Sequence, residues 1–125
     1  MLLVARLAEN SSKKGKTMRY YIAHAYQDKK SNIEKVGKIA RDLQMKHPEN
    51  SYFSPLHAFS FLDYDEIEYD SFMEICLDFL SACDALIVAS KKISKCVQME
   101  IDFAKLVKME VFRIDKNGEL QPFTE

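Results

Sequence analysis

Residues 83–108, CDALIVASKKISKCVQMEIDFAKLVK, decide the fold of this chain because they join a buried strand to an amphipathic helix. A strand is predicted over residues 84–89, since residues 85–89 are all apolar, which is typical of a short strand covered on both faces in a parallel sheet. Residues 90–94 predict a polar turn. The helix predicted over 94–108 carries an apolar stripe at helical spacing, formed by Val97, Ile101 and Ala104.

One carboxylate, Glu100, falls on the apolar side of this helix. Its neighbours three and four positions away are all apolar, namely Cys96, Val97, Phe103 and Ala104. Asp102, by contrast, can pair with Lys105 in water. Because a carboxylate is costly to bury, its position indicates a functional role for Glu100. The alternative is that Glu100 only caps the helix or pairs locally.

Strands and helices alternate along the rest of the chain. Further strands are expected at residues 20–25, 52–53 and 110–114. Further helices are expected at residues 31–46 and 71–83. Their expected N-caps are Ser31 or Asn32 for the first and Asp70 or Ser71 for the second. A long loop is expected over residues 55–69, and a turn with a tail over residues 115–125. The order predicts an α/β fold, a single doubly wound domain, flavodoxin-like or Rossmann-like, with a mainly parallel sheet of four to five strands.

The composition predicts one soluble domain. The 125 residues are 47% hydrophobic and 30% charged, enough for a core under a charged surface. A net charge of -1 argues against nucleic-acid or membrane partners, and no stretch approaches the roughly 20 apolar residues of a membrane span. Three cysteines without close pairing favour a reduced, cytoplasmic protein. Residues 1–17 are expected to be a flexible or accessory leader before a domain at 18–125.

In a parallel sheet of this kind, ligands bind beyond the carboxyl ends of the strands, where the strand order reverses. The loops at those ends hold the candidate binding residues His24, Tyr26, Ser54, His57, Ser90 and Ser94. The chain has three glycines and no Gly-rich phosphate loop, which excludes a P-loop and a dinucleotide fingerprint. The three histidines lack metal-ligand spacing, so we expect no metal and no cofactor.

Three segments resemble the nucleoside 2-deoxyribosyltransferase superfamily, in particular a small branch common in phages and mobile elements. They are YYIAHAY (20–26), FSPLHA (53–58) and MEICLDFLSACDALIVASKKISKCVQMEIDFAK (73–105), within about residues 19–114. The last segment is the most specific one. The resemblance implies that Glu100 is a nucleophile that attacks the anomeric carbon of a 2-deoxynucleoside, or its monophosphate, and expels the base. A second base or water then resolves the glycosyl-enzyme.

The resemblance also implies roles for four other residues, each with an ordinary alternative. Ser94 would contact a 5′-phosphate, or only cap its helix. Tyr26 would lie against the base, or at the protein surface. His57 would belong to a loop over the site, or be a solvent or loop-packing histidine. Glu74 would hold a sugar hydroxyl or orient Glu100, or belong to a solvated face within the seven acids of residues 61–78.

The chain departs from the superfamily pattern at several positions. Cys76 stands where characterised transferases have an aspartate that helps to protonate or hold the base, so the general acid is unassigned. Glycines of the superfamily are replaced at Lys95, Cys96, Val97 and His24. Three functions therefore stay open: cleavage or transfer of an N-glycosidic bond, non-catalytic nucleotide binding, or a small interaction protein.

The expected partner is a small nucleoside or nucleotide. Neighbouring subunits often complete the sites of this superfamily, so we also expect a homo-oligomer. The aromatic segment 59–69 is the expected subunit contact.

Overall fold

The computed structural model describes residues 2–12, 17–26, 29–63 and 65–124. The strands within these ranges are β1 (Arg19–Ala23), β2 (Ser51–Phe53), β3 (Ala85–Val88), β4 (Glu110–Ile114) and β5 (Leu120–Pro122). The helices are α1 (Leu2–Ser12), α2 (Lys29–Lys46), α3 (Pro55–Ala58), α4 (Tyr69–Ser81) and α5 (Lys95–Leu106). None of these described helices is long and apolar enough to cross a membrane.

The strands form one sheet in the order β2-β1-β3-β4-β5. The first four strands run parallel, and β5 pairs antiparallel with β4. This arrangement confirms the predicted α/β domain with a mainly parallel sheet. Strands β1 and β3 are direct neighbours although β2 lies between them in the sequence, so the strand order reverses between β1 and β3.

The centre of the sheet forms the core. All four residues of β3 are at most 4% exposed, as the unbroken apolar run predicted. Helix α5 covers the sheet with Val97, Ile101 and Ala104, each fully buried. Burial of each large aliphatic side chain contributes about 1.5–3 kcal/mol. Asp84, just before β3, fixes the start of β1, because its Oδ2 accepts a hydrogen bond from the Arg19 N–H at 2.8 Å.

Two segments predicted to lack regular structure contain short elements. Residues 55–58 form α3 instead of the start of a long loop, because Pro55 occupies the first turn and Ser54 caps it by accepting the His57 N–H. The predicted tail contains β5, which pairs with β4 after a turn in which Gly118 adopts a φ of 79°. Both predictions were therefore wrong at these positions.

The predicted N-caps of two helices were also wrong. Helix α2 begins at Lys29, so Asn32 lies inside it and donates through Nδ2 to the Ala25 carbonyl at 2.9 Å. Helix α4 begins at Tyr69, after Glu68, whose side chain makes no capping bond. Within the predicted leader, residues 2–12 form α1, whereas residue 1 and residues 13–16 lie outside the described residues.

Candidate functional site

Glu100 lies on α5 with its carboxyl group inside the protein. The residue is 0% exposed, and its Oε2 accepts a hydrogen bond from the hydroxyl of Tyr21 on β1. Its Oε1 has no hydrogen-bond partner among the described residues. The alternative of a local cap or a local pair is therefore wrong for Glu100. The predicted nucleophile is a core residue. One of its carboxyl oxygens accepts a hydrogen bond, and the other has no hydrogen-bond partner among the described residues.

The protonation of this pair follows from its burial. Loss of hydration raises the pKa of Glu100 from 4.5 to about 8, and the Tyr21 hydrogen bond opposes only part of that rise. Burial, with the Glu100 charge as the next cause, raises the pKa of Tyr21 well above its ordinary 10.0. Both groups are therefore mainly neutral at pH 7. Glu100 would attack an anomeric carbon only after it is ionised and uncovered.

Tyr26 and Cys76 adjoin the Tyr21–Glu100 pair. Tyr26 is 7% exposed, and its hydroxyl lies 3.4 Å from the Cys76 sulfur. Its ring packs edge-on against Phe72 with centroids 5.1 Å apart. Burial raises the pKa of Cys76 to about 11, and the Glu100 charge acts in the same direction. The alternative of a surface tyrosine is wrong for Tyr26, which instead belongs to this buried polar cluster of Tyr21, Tyr26, Cys76 and Glu100.

A separate cleft of about 740 Å³ lies at the carboxyl ends of β1 and β3, where the strand order reverses. We call it the switch-point cleft. Helix α2 and the loop after β3 supply most of its lining. Four of the ten described lining residues are lysines and none is acidic; the four are Lys35, Lys38, Lys91 and Lys92. The volume falls within the range of about 300–1,000 Å³ that is usual for small-molecule sites.

Two polar side chains that line the switch-point cleft, His24 and Asn32, contact the same backbone oxygen. His24 is 8% exposed, with its Nδ1 3.1 Å from the Ala25 carbonyl oxygen, the same oxygen that accepts from Asn32. The buried Oγ of Ser90 has no hydrogen-bond partner within the described part of the chain. Of the four lysines, only Lys38 forms an ion pair with a described carboxylate, that of Asp42 at 3.0 Å. The cleft thus carries positive charge that the described side chains leave largely uncompensated.

The structure brings His24 and Ser90 into this cleft but not Ser54, His57, Glu74 or Ser94. The Oγ of Ser54 lies 2.7 Å from Nδ1 of His57. The His57 ring in turn packs so close to Gly37 of α2 that a Cβ at position 37 would lie 3.1 Å from Nε2. His57 is exposed and its ring lies against α2, so it matches the alternative of a solvent or loop-packing histidine.

Glu74 and Ser94 also match their ordinary alternatives. Glu74 is exposed on α4, as expected for a solvated face. Ser94 is the N-cap of α5, and its Oγ accepts the Val97 N–H at 3.3 Å. No group of three or more His, Cys, Asp or Glu side chains among the described residues is placed to hold a metal ion.

Sequence reasoning missed Tyr21 and the lysines of the switch-point cleft. Tyr21 lies in a mainly apolar strand, and nothing in the sequence near it indicates that its hydroxyl donates a hydrogen bond to a residue of α5. The lysines come from α2 and from the turn after β3, two segments far apart in the sequence. The one available signal was Lys91-Lys92, in the turn that follows the strand predicted to be buried.

A protein-family model matches most of the chain. The sequence model of a domain of unknown function, DUF7768, matches residues 18–114. The chain belongs to the DUF7768 family. The matched DUF7768 region contains β1 to β4, the buried polar cluster and all ten lining residues of the switch-point cleft, whereas α1 and β5 lie outside it. Searches of curated proteins and of solved structures gave no match. The resemblance to nucleoside 2-deoxyribosyltransferases stays a prediction for this DUF7768 protein.

Proposed function

We propose that this protein is a non-catalytic module that binds a nucleoside phosphate in the switch-point cleft. The observation that carries this function is the presence of four lysines and no acid among the described residues that line the cleft. Lysine ammonium groups attract phosphate as point charges. The reversal of strand order at the same place favours ligand binding on general topological grounds.

The side chains offer a mode of phosphate binding that needs no Gly-rich loop. Lys35, Lys91 and Lys92 form no ion pair with a described carboxylate, so their charges are available to an anion. The Ser90 Oγ is buried without a described partner, so it would donate to a phosphate or sugar oxygen once the loop after β3 shifts to uncover it, and this bond would remove the cost of leaving it unpaired. With a net charge of -1 for the whole chain, the attraction is local to the cleft.

The test is calorimetric titration of the full chain with nucleoside monophosphates and with the matching nucleosides. We expect the monophosphates to bind more tightly than the nucleosides, with an affinity that falls as salt is added. Lys35→Glu should weaken binding at least tenfold, while Lys116→Glu, the same charge change outside the cleft, should leave it within about twofold. Equal affinities for the two variants, or no binding of any nucleoside phosphate, would overturn the proposed function.

A second candidate function is cleavage or transfer of the N-glycosidic bond by Glu100. One observation favours it: Tyr21 holds Oε2 of a buried carboxyl group whose Oε1 has no described partner. In the reaction, a Glu100 oxygen would bond to C1′ of the deoxyribose as the bond from C1′ to the base nitrogen breaks. The base would leave with the bonding electrons and take up a proton, and water or a second base would then displace Glu100.

This second candidate requires Glu100 to become accessible, since the residue is 0% exposed here. Its test is release of free base from a panel of deoxynucleosides and their monophosphates, followed by chromatography. We expect Glu100→Gln to abolish any release and Asp78→Asn, which changes an exposed carboxylate on α4, to retain it. No release by the wild type, combined with retained nucleotide binding, would leave the binding function alone.

We further propose that the protein is a homo-oligomer of the reducing cytoplasm. Its three cysteines, Cys76, Cys83 and Cys96, are free thiols. Phe61, within the segment predicted to contact another subunit, is 76% exposed. Sedimentation of the wild type and of Phe61→Ser tests the oligomer, which the variant should weaken.

A further inference from the structure

A second cleft adjoins the switch-point cleft. It has a volume of about 510 Å³ and is lined by the loop after β3, by Gln98 of α5 and by residues at the ends of β4 and β5. We call it the β3–β4 cleft. Ala89, Ser90 and Lys91 line both clefts, so the two clefts border the same short loop.

The two clefts differ in chemical character. Four of the ten described residues that line the switch-point cleft are lysines and three are apolar. In the β3–β4 cleft five of the ten are apolar, one of them aromatic, and the cationic ones are Lys91 and Arg113. Its apolar members include Val88, Ile93, Ile114 and Phe123. A flat ring system with polar edges suits the second cleft, and a phosphate suits the first. A nucleoside phosphate combines both groups in one molecule.

The side chains of the β3–β4 cleft are positioned by contacts within the protein. The Phe123 N–H donates to the Val111 carbonyl at 3.0 Å, which fixes the end of β5 beside β4. The Gln98 amide donates through Nε2 to Asp102 Oδ1 at 2.9 Å, which orients the amide. An aromatic face and an oriented amide are the groups that stack on a nucleobase and bond its edge. At the junction of the two clefts, the buried Ser90 Oγ lacks a partner in the described chain.

We propose that the β3–β4 cleft is the base subsite of the bound nucleoside phosphate, with Phe123 stacked on the base. The sugar lies over Ser90, and the phosphate extends to the lysines of the switch-point cleft. This inference rests on the proposed binding function. It adds that the second part of the ligand is a nucleobase and that this base binds in the β3–β4 cleft. Because Phe123 lies outside residues 18–114, the base contact comes from chain beyond the region that defines the family match.

The test compares a nucleoside monophosphate with ribose 5-phosphate, which has the same phosphate but no base. Loss of one base–aromatic stack should weaken nucleotide binding by about tenfold in Phe123→Ala. The affinity for ribose 5-phosphate should stay unchanged in that variant. Phe123→Trp should keep nucleotide affinity within about twofold, and Lys35→Glu should weaken both ligands. Thermal unfolding of each variant checks that the fold is retained.

Nuclear Overhauser contacts in the wild type provide a measurement that needs no variant. We expect contacts from the base protons to the Phe123 ring. Contacts only to residues outside the β3–β4 cleft, or equal nucleotide affinity in folded Phe123→Ala, would overturn the base subsite. If ribose 5-phosphate binds as tightly as the nucleotide, the base subsite fails while the phosphate site stands. If neither ligand binds, the proposed function itself fails.

Discussion

The hydroxyl of Tyr21 donates a hydrogen bond to Oε2 of Glu100, and the two residues are 79 positions apart in the sequence. The bond joins the centre of β1 to the helix that follows β3, inside a region that excludes water. It leaves Oε1 of Glu100 as a buried acceptor without a described partner. The carboxyl group is therefore stable there mainly in its neutral form, which makes the stability of the fold depend on pH.

Replacing Glu100 with glutamine should remove a pH dependence of stability. The folded-state pKa of Glu100, about 8, lies above its ordinary 4.5, so the folded protein holds a proton that the unfolded chain releases between these values. The contribution of Glu100 to the wild-type free energy of unfolding is therefore largest below pH 4.5 and falls as the pH rises to about 8. The decline due to Glu100 is on the order of 5 kcal/mol, at about 1.4 kcal/mol per pKa unit.

Urea denaturation at intervals between the two pKa values measures this decline. We expect Glu100→Gln to lose it and to become more stable than the wild type at the alkaline end. Asp102→Asn is the matched control, because Asp102 is an exposed carboxylate on the same helix and its removal should leave the slope as in the wild type. Parallel slopes for wild type and Glu100→Gln would show that Glu100 does not hold this proton.

Tyr21→Phe should destabilise the protein by removing the donor to Glu100. A buried carboxyl group that loses its described hydrogen bond costs about 1–3 kcal/mol. Tyr20→Phe on the same strand is the control and should cost less, since the Tyr20 hydroxyl forms no hydrogen bond with a described residue, although its ring stacks on Tyr52. Chemical denaturation near pH 5, where Glu100 is protonated in the folded state, gives both values. A smaller loss for Tyr21→Phe than for Tyr20→Phe would contradict the expectation.

Ser94→Ala should reduce stability without reducing ligand binding. Ser94 caps α5 through the Val97 N–H, and loss of such a cap costs about 1 kcal/mol. If Ser94 instead contacted a 5′-phosphate, as the superfamily resemblance implies, the variant would also lose nucleoside monophosphate affinity. Denaturation and calorimetric titration of the same preparation separate the two roles.

Ser90→Ala should show the opposite pattern. Its buried Oγ has no described partner, so removing the hydroxyl should leave the free protein as stable as the wild type or stabilise it by about 1 kcal/mol. The same change should weaken binding of a nucleoside monophosphate severalfold, because Ser90 lines both clefts. Unchanged affinity in Ser90→Ala would remove Ser90 from the site.

Any release of base that depends on Glu100 should increase with pH. The nucleophile must be a carboxylate, and burial raises the pKa of Glu100 to about 8. The rate at low substrate concentration should therefore rise through that pH and level off above it. A rate that is constant from pH 6 upwards would mean that Glu100 is already ionised and open to substrate in the working enzyme.

The strand and helix order of this chain was predictable because it depends on local patterns. The apolar run of β3 and the stripe on α5 are set by periodicity within a few residues, and both appear as expected. The same local pattern placed Glu100 on the inner face of α5. The short elements α3 and β5 were missed because three or four residues carry little periodic signal. Strand β5 depends on pairing with β4, and α3 depends on the Ser54 cap and on packing against α2.

The sequence alone therefore determined an α/β domain and a carboxylate on the buried side of its last helix, because neighbouring residues decide both. Only the tertiary structure decided what meets that carboxylate and where a ligand fits. Tyr21 bonds to Glu100, and the lysines of α2 line the same cleft as those after β3, because β1 lies beside β3 in the sheet. That adjacency is set by packing of the whole chain, and no short segment of the sequence specifies it.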